Sequence, residues 1–163
     1  MILAYCQELL ADSAFCFCLC SQFWIEPAAP TKMWDAFRWT SGAQVKYLSD
    51  FAFSIGRRYE ELVPDAGMVS PEKDRNVLAY DGWAYCARTQ DREIFLAYFE
   101  KDAARPQIRG AKLNASYHAQ WFNPRAGSWL DVGSGVLKSS PTGTIDLPEF
   151  PGDTDWGLKL ATQ

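Results

Sequence analysis

The sequence predicts a mainly β protein, in which a helix–strand–helix segment precedes an antiparallel β-sandwich of about seven strands. Three observations lead to this fold class. Aromatic side chains make up 15% of the 163 residues, with seven Trp, seven Tyr and ten Phe, and such side chains favour strands. After Pro64, short stretches of strand-forming residues alternate with turn residues. Before Pro64, the apolar spacing is closer to that of helices.

The overall composition is that of an ordinary folded protein. Apolar residues make up 48% of the chain and charged residues 22%, which excludes a disordered tail and a collagen-like repeat. Sixteen basic and twenty acidic residues give a net charge of −4, so nucleic-acid binding has no electrostatic support. No stretch approaches the roughly 20 apolar residues that span a bilayer, so we expect no membrane segment.

The segment before Pro64 is predicted to end in an amphipathic helix over Ala43–Tyr59. Ser41 is a candidate N-cap for this helix, because Gln44 follows three residues later. A helix end, a buried strand and a Pro-rich loop are predicted upstream of it. These three elements are Ile2–Leu10, Ala14–Cys20 and Glu26–Lys32.

The apolar run Ser13–Ile25 has about the length of a signal-peptide core. Glu8 and Asp12 precede it, however, and no Lys or Arg does, which is the wrong charge pattern for export. We therefore expect no targeting signal in this chain and a cytoplasmic location for the chain as it stands.

The sequence after Pro64 predicts seven short strands with hairpin turns between them. Asp81-Gly82 is typical of a two-residue hairpin turn, and Asn123–Gly127 is a strong turn signal. The predicted strands are Asn76–Tyr80, Trp83–Thr89, Ile94–Phe99, Leu113–Phe122, Trp129–Val132, Thr144–Leu147 and Trp156–Leu160.

We expect large apolar side chains of these strands to form the core of the sandwich. In Ile94–Phe99 both faces are apolar, which indicates a central strand covered on both sides. The predicted core residues are Trp83, Tyr85, Phe95, Ala97, Phe99, Trp121 and Trp156.

The five cysteines form a poor disulfide framework, because their number is odd and four of them fall within the first twenty residues. The run Cys16–Cys20 would place three thiols on one face of a strand, but a structural zinc site needs a second pair of ligands. We interpret the cysteines as small buried apolar side chains, with a metal or redox site as the less favoured alternative. We expect no metal and no cofactor. The cysteines are Cys6, Cys16, Cys18, Cys20 and Cys86.

Motifs that would identify a catalytic site are absent from the sequence. Gly133-Ser134-Gly135 lacks the outer spacing of a nucleophile elbow, and Asp153-Thr154-Asp155 is only half of a calcium loop. His118 is the sole histidine, and we interpret it as a packed or surface residue. The catalytic residues are therefore unknown at this stage.

Two motifs in the C-terminal part resemble a known domain. They are W-F-N-P-R-A-G at Trp121–Gly127 and G-D-T-D-W at Gly152–Trp156, and the strand Ile94–Phe99 fits the same layout. Together they resemble the C-terminal β-sandwich of apiosidase-like (β/α)8-barrel glycoside hydrolases. That sandwich is often labelled a "putative collagen-binding domain of a collagenase".

The part before Pro64 resembles the last barrel repeat of the same enzymes. Trp34–Phe37 and Ser41–Leu48 resemble the entry to the final barrel helix, and Tyr59–Asp65 resembles its exit into the sandwich. The resemblance implies a partial barrel segment with a linker over residues 1–66 and a C-terminal β-sandwich domain over residues 67–163. The family it implies is often exported in bacteria.

The resemblance implies a non-catalytic module of a truncated or split glycoside hydrolase, which packs against a barrel or assists carbohydrate contact. A closed barrel needs eight strands, of which this chain could supply one. The family's catalytic carboxylates are expected on the earlier barrel strands, so no catalytic residue carries over. The alternative is an active hydrolase, a glycosidase rather than an esterase, completed by oligomerisation or by a partner chain.

Trp24 and Trp34 are the candidate substrate-binding residues, because the resemblance places them in the loop after the final barrel strand. Barrel enzymes build their sites from such loops, and a Trp face suits the C–H face of a sugar ring. The competing interpretation is that both residues pack on the helix Ala43–Tyr59. An apolar surface left by missing barrel strands also predicts self-association or a barrel-containing partner.

Overall fold

The computed structural model describes residues 40–72 and 82–163, which form a helical segment followed by two antiparallel β-sheets. The predicted elements Ile2–Leu10, Ala14–Cys20, Glu26–Lys32 and Asn76–Tyr80 lie outside these residues. The boundary between the partial barrel segment (residues 1–66) and the sandwich domain (residues 67–163) stays a prediction. No helical element of the described ranges has the length and apolar character that crossing a membrane requires.

Helix α1 spans Thr40–Ala52 and continues into a 3₁₀ segment over Phe53–Glu61. Ser41 therefore lies within the helix and is not its N-cap. The prediction of one helix to Tyr59 is wrong in its second half. Gly56 has φ 61° and ψ −145°, a conformation outside any right-handed helix, so the chain turns at this residue.

The described strands are all paired antiparallel. Six of the seven predicted strands are confirmed, and the seventh is Asn76–Tyr80, outside the described residues. Three further strands have only two or three residues, which is too short for an alternating pattern to reveal them. The strands are β1 (Leu62–Pro64), β2 (Val69–Ser70), β3 (Ala84–Thr89), β4 (Ile94–Phe99), β5 (Gln107–Ile108), β6 (Ser116–Asn123), β7 (Ser128–Lys138), β8 (Ile145–Asp146) and β9 (Trp156–Thr162).

The larger sheet has the order β1-β3-β4-β9-β6-β7, and the smaller sheet has the order β2-β5-β8. The C-terminal strand β9 lies between β4 and β6, so that Gly157 is the cross-strand neighbour of both Tyr98 and Phe122. The antiparallel β-sandwich predicted from the sequence is confirmed.

The main core lies between the two sheets. Its large aromatic residues, all from the larger sheet, are Phe95, Phe99, Tyr117, Trp121 and Trp156. The smaller sheet contributes Val69, Ile108 and Ile145. Five of the seven predicted core residues are confirmed. These are Phe95, Ala97, Phe99, Trp121 and Trp156.

Trp83 and Tyr85 are not part of this core, which corrects the prediction. Side chains alternate along a strand, and Ala84 and Cys86 occupy the inward positions of β3. The two aromatic residues therefore point to the other face of the larger sheet, where both are half-buried.

Cys86 is free and buried, as interpreted from the sequence. Burial, more than the nearby Asp65 carboxylate, raises the pKa of its thiol to about 12. The thiol is therefore protonated at neutral pH and packs as an apolar side chain. The other four cysteines lie outside the described residues.

A charged cluster fastens the 3₁₀ segment to the turn between β3 and β4. Arg58 donates hydrogen bonds to Asp91, to Glu93 at 2.9 Å and to Glu61 at 2.9 Å. Lys112 approaches the other side of Glu93, with Nζ 2.7 Å from Oε1. The contacts of Arg58 with Asp91 and Glu93 connect residues more than thirty positions apart in the chain.

We predict that Trp156→Ala lowers the free energy of unfolding by about 3–5 kcal/mol. The indole is 7% exposed, and its Nε1–H donates a 3.0 Å hydrogen bond to the Gly152 carbonyl. Urea denaturation measures the change, with Leu130→Ala as the control. Leu130 is 46% exposed, so its removal should cost no more than about 0.5 kcal/mol. A loss below about 1 kcal/mol for the Trp156 variant would contradict the packing described.

We also predict that Asp91 makes the fold sensitive to acid. Hydrogen bonds from the Thr89 hydroxyl, the Glu93 amide and Arg58 hold the pKa of Asp91 well below its ordinary value. A lowered native pKa stabilises the fold above about pH 4, and the benefit is lost as the pH falls further. Urea midpoints from about pH 6 to pH 2 should fall less steeply for Asp91→Asn than for the wild type. An equal pH dependence of the urea midpoint in both proteins would show that the Asp91 carboxylate does not contribute to the acid sensitivity of the fold.

Candidate functional site

The two residues proposed from the sequence as substrate contacts, Trp24 and Trp34, lie outside the described residues. Their role stays a prediction. His118 lies on β6 with its side chain 43% exposed, and its Nε2 is 3.7 Å from Oδ1 of Asp131. It is a surface residue, as interpreted from the sequence.

Helix α1 packs on the outer face of the larger sheet, the face turned away from the smaller sheet. We call this contact the α1 seam. Phe51 is 2% exposed, and its ring centroid is 5.2 Å from Phe122 and 5.8 Å from Trp129. Leu96 lies beneath them on β4, and Tyr47 packs against the same cluster. The seam is a second apolar core on the side of the sheet opposite the smaller sheet.

Two glycines let the helix approach this closely. A Cβ on Gly157 would lie 2.8 Å from Cε2 of Phe51, and a Cβ on Gly127 would overlap the ring of Tyr47. Gly127 also has φ 66°, a backbone angle that residues other than glycine rarely adopt. Phe51 and Tyr47 therefore occupy the space that side chains at these two positions would need.

The turn between β6 and β7 is held by Asn123. Its Oδ1 accepts hydrogen bonds from the main-chain N–H groups of Arg125, at 2.9 Å, and Ala126, at 3.2 Å. The Gly127 N–H donates to the Asn123 carbonyl at 2.8 Å. An asparagine at the first turn position suits this arrangement, because its short amide reaches the backbone two residues on. The turn places the Arg125 side chain beside the start of β9.

Asp155 connects three parts of the sheet at this end. The Tyr98 hydroxyl donates to its Oδ2 at 3.0 Å, and the Lys101 main-chain N–H donates to its Oδ1 at 2.9 Å. Nη2 of Arg125 lies 3.6 Å from the same Oδ2. The two motifs seen in the sequence, Trp121–Gly127 and Gly152–Trp156, therefore meet in space through one ion pair.

A cleft of about 130 Å³ lies where the α1 seam reaches this ion pair. Apolar side chains and polar groups share its lining, which is the composition expected of a small binding site. Helix α1 contributes Gln44, Leu48 and Phe51, and the sheet with its turns contributes Tyr98, Phe122, Pro124, Arg125 and Asp155.

The tyrosines of this end of the sheet act as hydrogen-bond donors. Burial, and after it the Asp155 carboxylate, raises the pKa of Tyr98 well above its ordinary value. Burial and Glu100 together raise the pKa of Tyr85 to about 12. Both hydroxyls keep their protons at neutral pH and donate them to carboxylates of this chain, Tyr98 to Asp155 and Tyr85 to Glu100. Among the described residues, no three His, Cys, Asp or Glu side chains come together as a metal site would require.

Sequence reasoning did not select Tyr98, Arg125 or Asp155 as functional candidates. A signal was present for Arg125 and Asp155, because both belong to the two most specific motifs of the chain. Nothing in the sequence marks Tyr98, since its role depends on the pairing of β4 with β9.

Part of a solved structure titled "Glycoside hydrolase" has a fold similar to that of this chain, with a TM-score of 0.59 and 17% sequence identity. The match covers 82% of this chain and 28% of that one. This chain therefore spans little more than a quarter of that protein's length. No curated protein matches the chain in sequence.

Residues 63–161 match a protein family described as "Putative collagen-binding domain of a collagenase". The match contains strands β2 to β8, all but the last residue of β9, both motifs and the ion pair between Arg125 and Asp155. The resemblance inferred from those motifs is thereby confirmed. The chain belongs to this family of β-sandwich domains.

Proposed function

We propose that the chain is a non-catalytic accessory module of a glycoside hydrolase, whose sandwich is fixed in one orientation on a catalytic barrel by helix α1. The observation that carries this proposal is the α1 seam. The sequence of α1 resembles the final barrel helix of such enzymes. If α1 is part of the barrel and also packs against the sandwich, it fixes the orientation of the sandwich relative to the barrel.

The fit of the seam supports a rigid connection over a flexible one. Phe51 and Tyr47 pack where Gly157 and Gly127 leave no room for a Cβ, so sliding or rotation of the helix would open voids. Arg58 fastens the 3₁₀ segment that follows α1 to the β3–β4 turn. The helical segment is thus held to the sandwich in its middle and near its C-terminal end.

A non-catalytic role is supported by what the described part of the chain contains. Its strands pair antiparallel, whereas a (β/α)8 barrel is built from eight parallel strands. The titled glycoside hydrolase has more than two thirds of its length outside the match. The barrel that carries catalysis in the proposed arrangement is therefore additional to these residues.

We predict that the purified 163-residue chain does not hydrolyse aryl glycosides or simple esters. Release of 4-nitrophenol from a panel of such substrates should equal that of a buffer control. Hydrolysis that persists through purification and is lost in Asp155→Asn would overturn the non-catalytic assignment.

We predict that Phe51→Ala releases α1 from the sheet while the sandwich stays folded. Removing the ring leaves a cavity that costs about 3–5 kcal/mol at the seam. Hydrogen exchange followed by mass spectrometry should then show faster exchange across Thr40–Ala52, with little change in β4 and β9.

Phe53→Ala is the matched control for this experiment. It removes the same ring two residues later, where the side chain is 52% exposed, and exchange of α1 should stay at the wild-type rate. If Phe51→Ala also leaves the exchange unchanged, the seam does not hold the helix, and the proposed rigid connection is wrong.

A further inference from the structure

We propose that three residues of β7, Gly133–Gly135, prevent this strand from pairing edge to edge with β7 of a second copy of the chain. We call these three residues the β7 bulge. Strand β7 is the last strand of the larger sheet, and among the described strands it pairs with β6 alone. The proposal concerns association between sandwiches and does not depend on α1 holding a barrel.

Among the described strands, β7 is the longest one at the edge of a sheet. It has 11 residues, whereas β1 at the opposite edge has three and includes Pro64, which has no N–H to donate. The edge strands of the smaller sheet, β2 and β8, have two residues each. A long edge strand presents unpaired N–H and C=O groups to which a strand of another molecule can add. The edge of β7 is therefore the described edge where such pairing has to be prevented.

The register between β6 and β7 shows where this edge is interrupted. Asp131 pairs with Gln120, and the next pair is Val136 with His118. Strand β6 has one residue between these two pairs, whereas β7 has four, Val132–Gly135. Three of the four are therefore additional to a regular ladder. The parts of β7 on either side have only four and three paired residues, which are short edges for another strand to pair with.

The local sequence specifies the bulge. Gly133 has φ 58° and Gly135 has φ 78°, backbone angles that residues other than glycine rarely adopt. A Cβ on Gly133 would meet nothing within 4 Å, and Ser134 is exposed, so the tip of the bulge lies in solvent. At its base, Oδ1 of Asp131 accepts a 3.0 Å hydrogen bond from the Gln120 side chain. A continuous strand would need neither glycine.

The main core does not require the three additional residues. Val132 is 2% exposed and packs between the two sheets, as Ala119 of β6 does. Without the bulge, Val132 would become the cross-strand partner of Ala119, and directly paired residues lie on the same face of a sheet. Val136 would follow as the partner of His118, which it already is. The bulge therefore alters the edge of the sheet, and the inward position of Val132 does not depend on it.

A second copy of the chain is the partner that a continuous β7 would suit. Two strands of the same sequence pair antiparallel around a twofold axis, so that each is the added strand of the other. Removing three of the eleven residues leaves eight, Ser-Trp-Leu-Asp-Val-Val-Leu-Lys, whose single Asp and single Lys cancel in charge. Trp, Val and Leu in a segment of low net charge favour pairing between chains.

Deletion of Gly133–Gly135 from the full 163-residue chain tests the proposal. At about 100 μM, size-exclusion chromatography with light scattering should give twice the mass of the wild type at the same concentration. Any association through another surface is present in both proteins, so the comparison reports on β7. Leu130→Lys in the deletion variant should restore the wild-type mass, because lysine on an edge strand opposes pairing with another chain.

Deletion of Ser134 alone is the matched control. It shortens the bulge by one residue and leaves the ladder interrupted, so the wild-type mass should be retained. An unchanged mass of the Gly133–Gly135 deletion variant would overturn the proposal. Loss of its near-UV circular dichroism would do the same, because the bulge would then be needed for the core. A doubled mass of the Ser134 deletion variant would show that the interrupted register does not control pairing.

Discussion

Phe51 lies against Gly157 of β9, whose cross-strand neighbours are Tyr98 on one side and Phe122 on the other. The larger sheet is apolar on both faces at its centre, so a second layer has to cover the face that the smaller sheet does not reach. Helix α1 supplies that layer through Phe51, set into the space that Gly157 leaves open, and through Tyr47, which packs against Gly127 in the same way. These two contacts set the position of the helix on the sheet.

Asp155 has a comparable role for the polar end of the sheet. Its carboxylate accepts hydrogen bonds from Tyr98 and from the Lys101 main chain, and it pairs with Arg125 from the β6–β7 turn. The chain brings these groups together from positions 98, 101, 125 and 155, which explains why both sequence motifs are concentrated at this place. The two motifs therefore mark a place where distant parts of the sheet are joined.

The candidate site shows where sequence reasoning succeeds and where it stops. The turn at Asn123–Gly127 was predictable, because asparagine, proline and glycine each have a local conformational preference. The contact of Gly127 with Tyr47 was not, since nothing local indicates that a helix more than seventy residues earlier packs on the turn. Trp83 and Tyr85 were assigned to the core on hydrophobicity alone, and only the pairing of β3 decided that they face outward.

The sequence by itself determined the mainly β fold class, six of the described strands and the membership of the family. These depend on alternation, turn residues and motifs, all of which are local properties of the chain. The tertiary structure alone decided where α1 ends, which strands became neighbours, and that β9 inserts between β4 and β6. Strand order and helix packing depend on contacts between residues that are distant in the sequence. These contacts stabilise the fold only when both apolar faces of the sheet are covered, so no local pattern predicts them.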